Sequence, residues 1–295
     1  MKILAIGDFH GTFQKKFEKI IKKEKIDLIV SNGDYSPFSY RKLWFKHCYG
    51  INKELWEVIG KKKHKALVMK DLKKTEMALK ALDRLQVPVF TVLGNTDYPP
   101  DDVSDSYNKR KSKIPKWDTK EPFLAVLKKY RNIKRFDYSF LKFGNYVFIG
   151  MRGHSFPGRV KSKAFRKHKK ILEELFRKFR KENEQGRVIF VSHNIAYNTK
   201  LDEISTIALK FAEKSYQRND KRRKLGRGKH WGSKMARRIV YQYHPFLHIG
   251  GHIHEGMGKQ KLGRSWLVNP GSAHEGKGAV IEIDGGKIKE IKFIN

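Results

Sequence analysis

The chain has 295 residues with one cysteine, and its 65 lysines and arginines against 30 acidic residues give a formal net charge of +35. Cys48 alone excludes an intrachain disulfide and points to a reducing compartment. No apolar run approaches the roughly 20 residues that span a bilayer, and residues 1–10 hold a strand and polar groups where a signal peptide would need an apolar stretch. A cytoplasmic protein without membrane association is expected.

In chain order, residues 2–8, 27–33 and 87–94 read as strands, because each is an apolar, β-branched run bounded by Gly or Asn. Between the first two, residues 12–23 (TFQKKFEKIIKK) have helical periodicity, with Thr12 as N-cap and Phe13, Phe17, Ile20 and Ile21 on one face. Residues 136–150 predict a hairpin turning around Lys142–Asn145. Residues 165–180 predict an amphipathic helix with Phe165, Ile171, Leu172, Leu175, Phe176 and Phe179 inward, and 201–217 a second through Leu201, Ile204, Ala208 and Phe211. A last hairpin over 279–293 turns around Asp284–Gly286. Strands alternating with helices, then hairpins, predict an α/β protein: a two-sheet β-sandwich flanked by helices. With no repeat and no Gly/Ser linker, residues 1–295 read as a single domain. Basic insertions near 35–70, 98–120 and 195–232 exceed what the connections need.

Polar clusters recur directly after the strands: Asp8 and His10 in ILAIGDFHG, Asp34 in LIVSNGD, Asn95 and Asp97 in VFTVLGNTD, His193 in VIFVSHN, and His252 and His254 in FLHIGGHIH. Taken singly, such residues are more often caps or packing groups. As a set at the ends of several strands they converge, and carboxylates, an amide oxygen and imidazoles together suit divalent Mn, Fe or Zn. On an extended chain His252 and His254 would share a face.

The series GDFHG, SNGD, GNTD, SHN and GHIH resembles the calcineurin-like metallophosphoesterase superfamily, and the closing strings KHWGSK, PFLHIGGHIHEG and WLVNPGS are similar to the last third of compact prokaryotic members. The resemblance spans Ile6 to Ser272. It implies a four-layer αββα fold and two divalent ions (Mn, Fe, Zn or Ni, Mn favoured). It implies that Asp8, His10, Asp34 and His254 hold one ion and Asp34, Asn95, His193 and His252 the other, with Asp34 bridging. Two ions about 3.5–4 Å apart lower the pKa of a shared water toward about 7 and offset charge during in-line displacement at phosphorus. The resemblance therefore implies a phosphoester hydrolase using a metal-bridging hydroxide.

One position departs from the family pattern. Many members carry His directly after the Asn of the third motif, where this chain has Thr96, a poor general acid. His230 in KHWGS and His154 in RGHSFPGR are the replacement candidates. Asp97, which would normally orient the absent His, is expected to cap the following loop.

Half the cations lack an acidic counterpart. They recur at 60–65, 108–116, 159–170 and 221–229, a distribution that points to a neutralising polyanion. Nucleic acid is the leading partner, with Arg222, Arg223, Lys224, Arg227, Lys229 and the ring of Trp231 as candidate contacts. Aromatics within the insertions suit stacking on a single strand, although Trp44, Phe45 and Trp56 have the near-helical spacing of packing residues. A phosphodiesterase or nuclease acting on RNA or DNA is thus expected first. The alternatives are an enzyme for a small nucleotide-like phosphoester and a weakly catalytic nucleic-acid or ribonucleoprotein binder that retains the fold.

Overall fold

The computed structural model describes residues 1–48, 53–97, 115–117, 121–154, 160–205 and 230–295. Strands β1 (Lys2–Ile6), β2 (Leu28–Ser31), β3 (Val89–Thr91) and β4 (Ile133–Arg135) are parallel neighbours, and β11 (Gly278–Asp284) and β12 (Lys287–Ile294) add antiparallel to β1. A second sheet has the order β5 (Phe140–Phe143), β6 (Tyr146–Met151), β7 (Val188–Asn194), β8 (Leu247–Gly251), β10 (Ser265–Asn269), β9 (Gly258–Leu262). Its four inner strands are parallel and its two edge strands antiparallel.

Alternation along each strand sorts the core into layers. In β1, Ile3 and Ala5 join Val191, Ile249 and Phe148 between the sheets, whereas Leu4 and Ile6 pack against the helices. Those helices are α1 (Lys16–Glu24), α4 (Lys61–Asp83) and α5 (Pro122–Leu127), contributing Phe17, Ile21, Leu79, Leu82 and Phe123. On the other side lie α6 (Lys163–Lys178), the short α7 (Arg180–Glu184) and α8 (Lys234–Tyr243). Of these, α6 and α8 bury Phe165, Leu172, Phe176, Met235 and Ile239 against the second sheet. Two six-stranded sheets between helical layers are the expected sandwich. Both predicted hairpins form, β5–β6 and β11–β12.

Three local expectations fail. Thr12 does not cap α1, which starts at Lys16 after Lys15. Instead the Thr12 N–H donates to Phe9 O, in a loop whose Asp8, His10 and Gly11 amides bond the Gly33, Asp34 and Tyr35 carbonyls. That pairing holds residues 8–12 off the helix. The helix read from Leu201 is also absent there. Lys200–Asp202 is a single 3-10 turn and Glu203 bridges His230, while 206–217 lie outside the described residues. Finally, His252 and His254 do not share an extended face, because His252 has φ 72°.

The first insertion forms α2 (Arg41–His47), α3 (Leu55–Ile59) and the start of α4, which continues as the crossover to β3. Its aromatics pack: Tyr40, Cys48, Leu55 and Val68 form a satellite core with Trp44 and with Trp117 of the second insertion. His64, within the basic run 60–65, is itself buried there, its ring 5.6 Å from Trp117, and burial pushes its pKa down to about 4. His248, stacked on Phe190, is held by burial at about 3.

Both imidazoles fold neutral. Below the unfolded value of about 6.5 the unfolded chain takes up protons that these groups refuse, so stability falls as pH drops toward 4 and 3, by about 1.4 kcal/mol per pH unit for each proton. Denaturant titrations between pH 6 and pH 4.5 should therefore show His64→Phe reducing the pH slope by about one proton. An unchanged slope would place His64 in water.

Candidate metal centre

Each candidate ligand sits at the carboxyl end of a parallel strand or directly beyond it. Asp8 and His10 follow β1, Asp34 follows β2, Asn95 follows β3, His193 lies in β7, and His252 and His254 follow β8. The fold gathers them into two groups, Asp8–His10–His254 and Asp34–His193–His252, in each of which the donor atoms lie within 4.8 Å of one another. Asn95 joins the second group, its Oδ1 2.8 Å from His193 Nε2. Asp8, His10, Asp34 and His252 all have left-handed backbones, with φ between 44° and 72°. Such conformations cost a non-glycine residue about 1–2 kcal/mol each, and here they turn side chains sharply off the strand ends. Gly94 shows how tight the turns are, since a Cβ there would lie 1.9 Å from Asp34 Oδ1.

The donor chemistry fits a cation. His193 Nδ1 must donate to the Asn32 carbonyl at 2.8 Å, which aims the Nε2 lone pair into the group. Around that Nε2 stand Asn95 Oδ1 at 2.8 Å, His252 Nδ1 at 3.2 Å and Asp34 Oδ2 at 3.6 Å. Acceptors crowd together in this way around a metal or a proton. Burial disfavours a charged His193, but Asp34 and Asp8 outweigh it and raise its pKa. In the first group, His254 Nε2 lies 3.3 Å from both His10 Nε2 and Asp8 Oδ1, and His10 Nδ1 faces the Ser36 carbonyl at 3.3 Å. Burial would raise the Asp8 pKa, but the His254 hydrogen bond and the charges of His254, His193 and His10 hold it below the ordinary range. These are residues able to hold divalent ions with their second nitrogens oriented by carbonyls.

The loop after Asp97 lies outside the described residues, and Asp97 itself is tied to the turns before it. Its carboxylate accepts the amides of Gly94, Asp34, Tyr35 and Ser36 and so fixes the turn that carries Asp34. Burial, then the Asp34 charge, push it up to about 7 against those donors. Thr96 is buried, its amide donates to Asp34 Oδ1 at 2.9 Å, and its hydroxyl donates to the Ser36 carbonyl at 3.2 Å. It supports the ligand loop and holds its proton away from any substrate.

The two replacement imidazoles differ in setting. His154 is clasped to the end of β7: its amide donates to Asn194 Oδ1, Asn194 Nδ2 donates to its carbonyl, and its Nε2 lies 3.1 Å from Ser233 Oγ. Burial, and then the charge of His193, lower the His252 pKa, a shift to which His154 adds the last contribution. His230 pairs through Nδ1 with buried Asp202 at 2.9 Å, and Asp202 also takes the Asn198, Thr199 and Gly232 amides. Trp231 is half-buried, and its amide donates to the Asp202 carbonyl. Arg222, Arg223, Lys224, Arg227 and Lys229 lie outside the described residues. Sequence reasoning passed over Asn32 in SNGD and Ser272 in NPGS. Ser272 Oγ donates to the Asp8 carbonyl at 3.0 Å, and both strings were visible as strand-end polar residues.

A two-sheet sandwich with these donors at its strand ends defines the metal-dependent phosphoester hydrolases. The chain belongs to the calcineurin-like phosphoesterase family, which it matches over residues 1–256. No curated protein matches it. Among solved structures, one crystal structure is similar at TM-score 0.64 and 19% identity, covering 100% of this chain and 99% of its own. TT1561 of Thermus thermophilus is similar at TM-score 0.52 and 15% identity, over 99% of this chain and 97% of that one. A dimetal phosphatase from Danio rerio gives 0.51 and 10%, over 100% and 96%. At these identities the likeness establishes the fold.

Proposed function

We propose that this metallophosphoesterase is a phosphodiesterase that hydrolyses nucleic acid, with Asp34 bridging two divalent ions, Mn favoured. The observation that carries the hydrolytic reading is the pair of adjacent donor groups, each drawing residues from both sheets. When bound, the ions lower the pKa of water and offset charge on phosphoryl oxygens. The chain's own residues orient that chemistry: Asn32 and Ser36 carbonyls fix His193 and His10, and Asp97 holds the Asp34 turn.

The net charge of +35 supports a polyanionic substrate. Helix α6 links the ligand end of β6 to the start of parallel β7, so its first turns, with exposed Lys163, Arg166 and Lys167, lie toward the end of the sheet that carries the donor groups. On neighbouring α8, which starts at the same end, Lys234 is also exposed. Exposed cations of this kind suit a phosphate backbone. The second reading, a weakly catalytic nucleic-acid binder, draws on Thr96, whose hydroxyl is committed to Ser36.

Turnover of bis-p-nitrophenyl phosphate, short RNA and short DNA, with Mn added or removed, tests this proposal. Mn-dependent cleavage of an oligonucleotide is expected. Cleavage of the nitrophenyl ester alone favours a small phosphoester as substrate, and no cleavage favours the binder. Splitting the phosphorus–oxygen bond leaves an oxygen that needs a proton unless its conjugate acid is strong. Nitrophenyl esters should therefore outpace alkyl esters, roughly 10²–10⁴-fold if no acid assists. Equal rates would assign the proton to a side chain, which His230→Ala and His154→Ala would identify.

A further inference from the structure

Asn32 is fully buried between the end of β2 and Asp34, and it reaches both donor groups. Its Nδ2 donates to Asp8 Oδ2 at 3.1 Å, and its carbonyl accepts from His193 Nδ1 at 2.8 Å. Asp8 Oδ2 also accepts the His252 amide at 3.2 Å, which leaves Oδ1 as the oxygen facing His254. The amide orientation is settled by its partner, since an ionised carboxylate only accepts and Nδ2 is the donor end of the amide.

The surroundings are fitted to this side chain. A Cβ on Gly7 would lie 1.9 Å from Asn32 Oδ1, and one on Gly251 would lie 1.9 Å from Asn32 Nδ2. Gly7 follows β1 of one sheet, and Gly251 ends β8 of the other. Its Oδ1 is buried and finds no hydrogen-bond partner among the described residues. A desolvated acceptor weakens a fold, so an apolar side chain of the same shape would pack at lower cost. The amide therefore serves its Nδ2 contact.

We propose that Asn32 is a positioning residue shared by both metal positions, so that the affinities for the two ions rise and fall together. Through its side chain it selects the Asp8 oxygen offered to one ion. Through its carbonyl, whose place is locked by the same side chain wedged between Gly7 and Gly251, it sets the His193 tautomer offered to the other. Outer contacts of this kind are worth about 10–100-fold in metal affinity. The proposal rests on the donor groups being a metal site.

Calorimetric titration of chelator-stripped protein with Zn and with Mn provides the test. Wild type should bind two ions, and failure to do so would defeat the metal reading itself. Asn32→Ala should weaken both binding steps by about 10–100-fold while the metal-free variant keeps its circular dichroism. Loss at one step only, or at neither, would overturn the shared role. A lowered metal-free melting temperature with unchanged affinities would make Asn32 merely structural and also overturn it. Should Asn32→Ala fail to fold, ¹⁵N-histidine spectra of Zn-loaded wild type decide the carbonyl contact. A His193 ring protonated at Nδ1 is expected, and one protonated at Nε2 overturns the proposal.

Discussion

Asp34→Asn should reduce turnover of any phosphoester by roughly 10²–10³-fold or more and remove at least one ion per chain. The substitution keeps the shape of the side chain and its acceptance of the Thr96 amide at 2.9 Å. It removes the negative charge facing His193 Nε2 at 3.6 Å. A bridging carboxylate offers one oxygen to each ion, and an amide offers only a neutral oxygen and an N–H. The turn itself should survive, because Asp97 holds it through the amides of Asp34, Tyr35 and Ser36. Elemental analysis is the decisive measurement, with unfolding excluded by circular dichroism. Two ions retained in the variant would take Asp34 out of the bridge.

Affinity for single-stranded RNA or DNA should fall steeply with salt, with a slope near about −0.7 per neutralised phosphate. A footprint of about six phosphates would cost roughly 10²–10³ in affinity between about 50 and about 200 mM salt. Replacing Arg222, Arg223, Lys224 and Arg227 together by Gln should flatten that slope and weaken binding to all sequences alike. Turnover of a small nitrophenyl ester should stay unchanged, because a single phosphodiester monoanion gains far less from a run of cations than a polyanion that releases many counterions. Fluorescence anisotropy across a salt series reads both quantities. No binding to any oligonucleotide at about 50 mM salt would leave the small-phosphoester enzyme as the reading.

The convergence of the candidate donors was legible because the fold repeats one local device. An apolar run ends, the chain turns, and a polar side chain projects from the end, as in GDFHG, SNGD and GHIH. The first three strands and the two hairpins were legible for the same reason, since apolar runs and Gly-containing turns are local signals. What escaped depends on partners far along the chain. Asp97 looks like a cap for its own loop, yet its amide donors at Asp34, Tyr35 and Ser36 lie some sixty residues upstream. Thr12 looks like a helix cap, yet backbone pairing of residues 8–11 with 33–35 pulls its loop away. His64 sits in a run of lysines that suggests a wet surface, and a Trp from another insertion covers it. Left-handed φ at Asp8, Asp34 and His252 leaves no trace in composition, because these residues adopt it under tertiary constraint.

The sandwich has a mechanical corollary. Asp8, His10, Asp34 and Asn95 belong to one sheet, and His193, His252 and His254 belong to the other. Any cation captured in either group is therefore a rivet through both layers at one end of the seam. Elsewhere interleaved side chains such as Phe90, Phe148 and Ile283 join the sheets, and at the far end the Gly286 amide donates to the Tyr146 hydroxyl. Without an ion that rim is pinned by hydrogen bonds, the Asn32 carbonyl with His193 and the Asp8 carboxylate with the His252 amide, so loading adds a second fastening where the layers already meet. That rim is the one that presents the donor groups, so ion occupancy and the spacing of the two layers are set by the same joint.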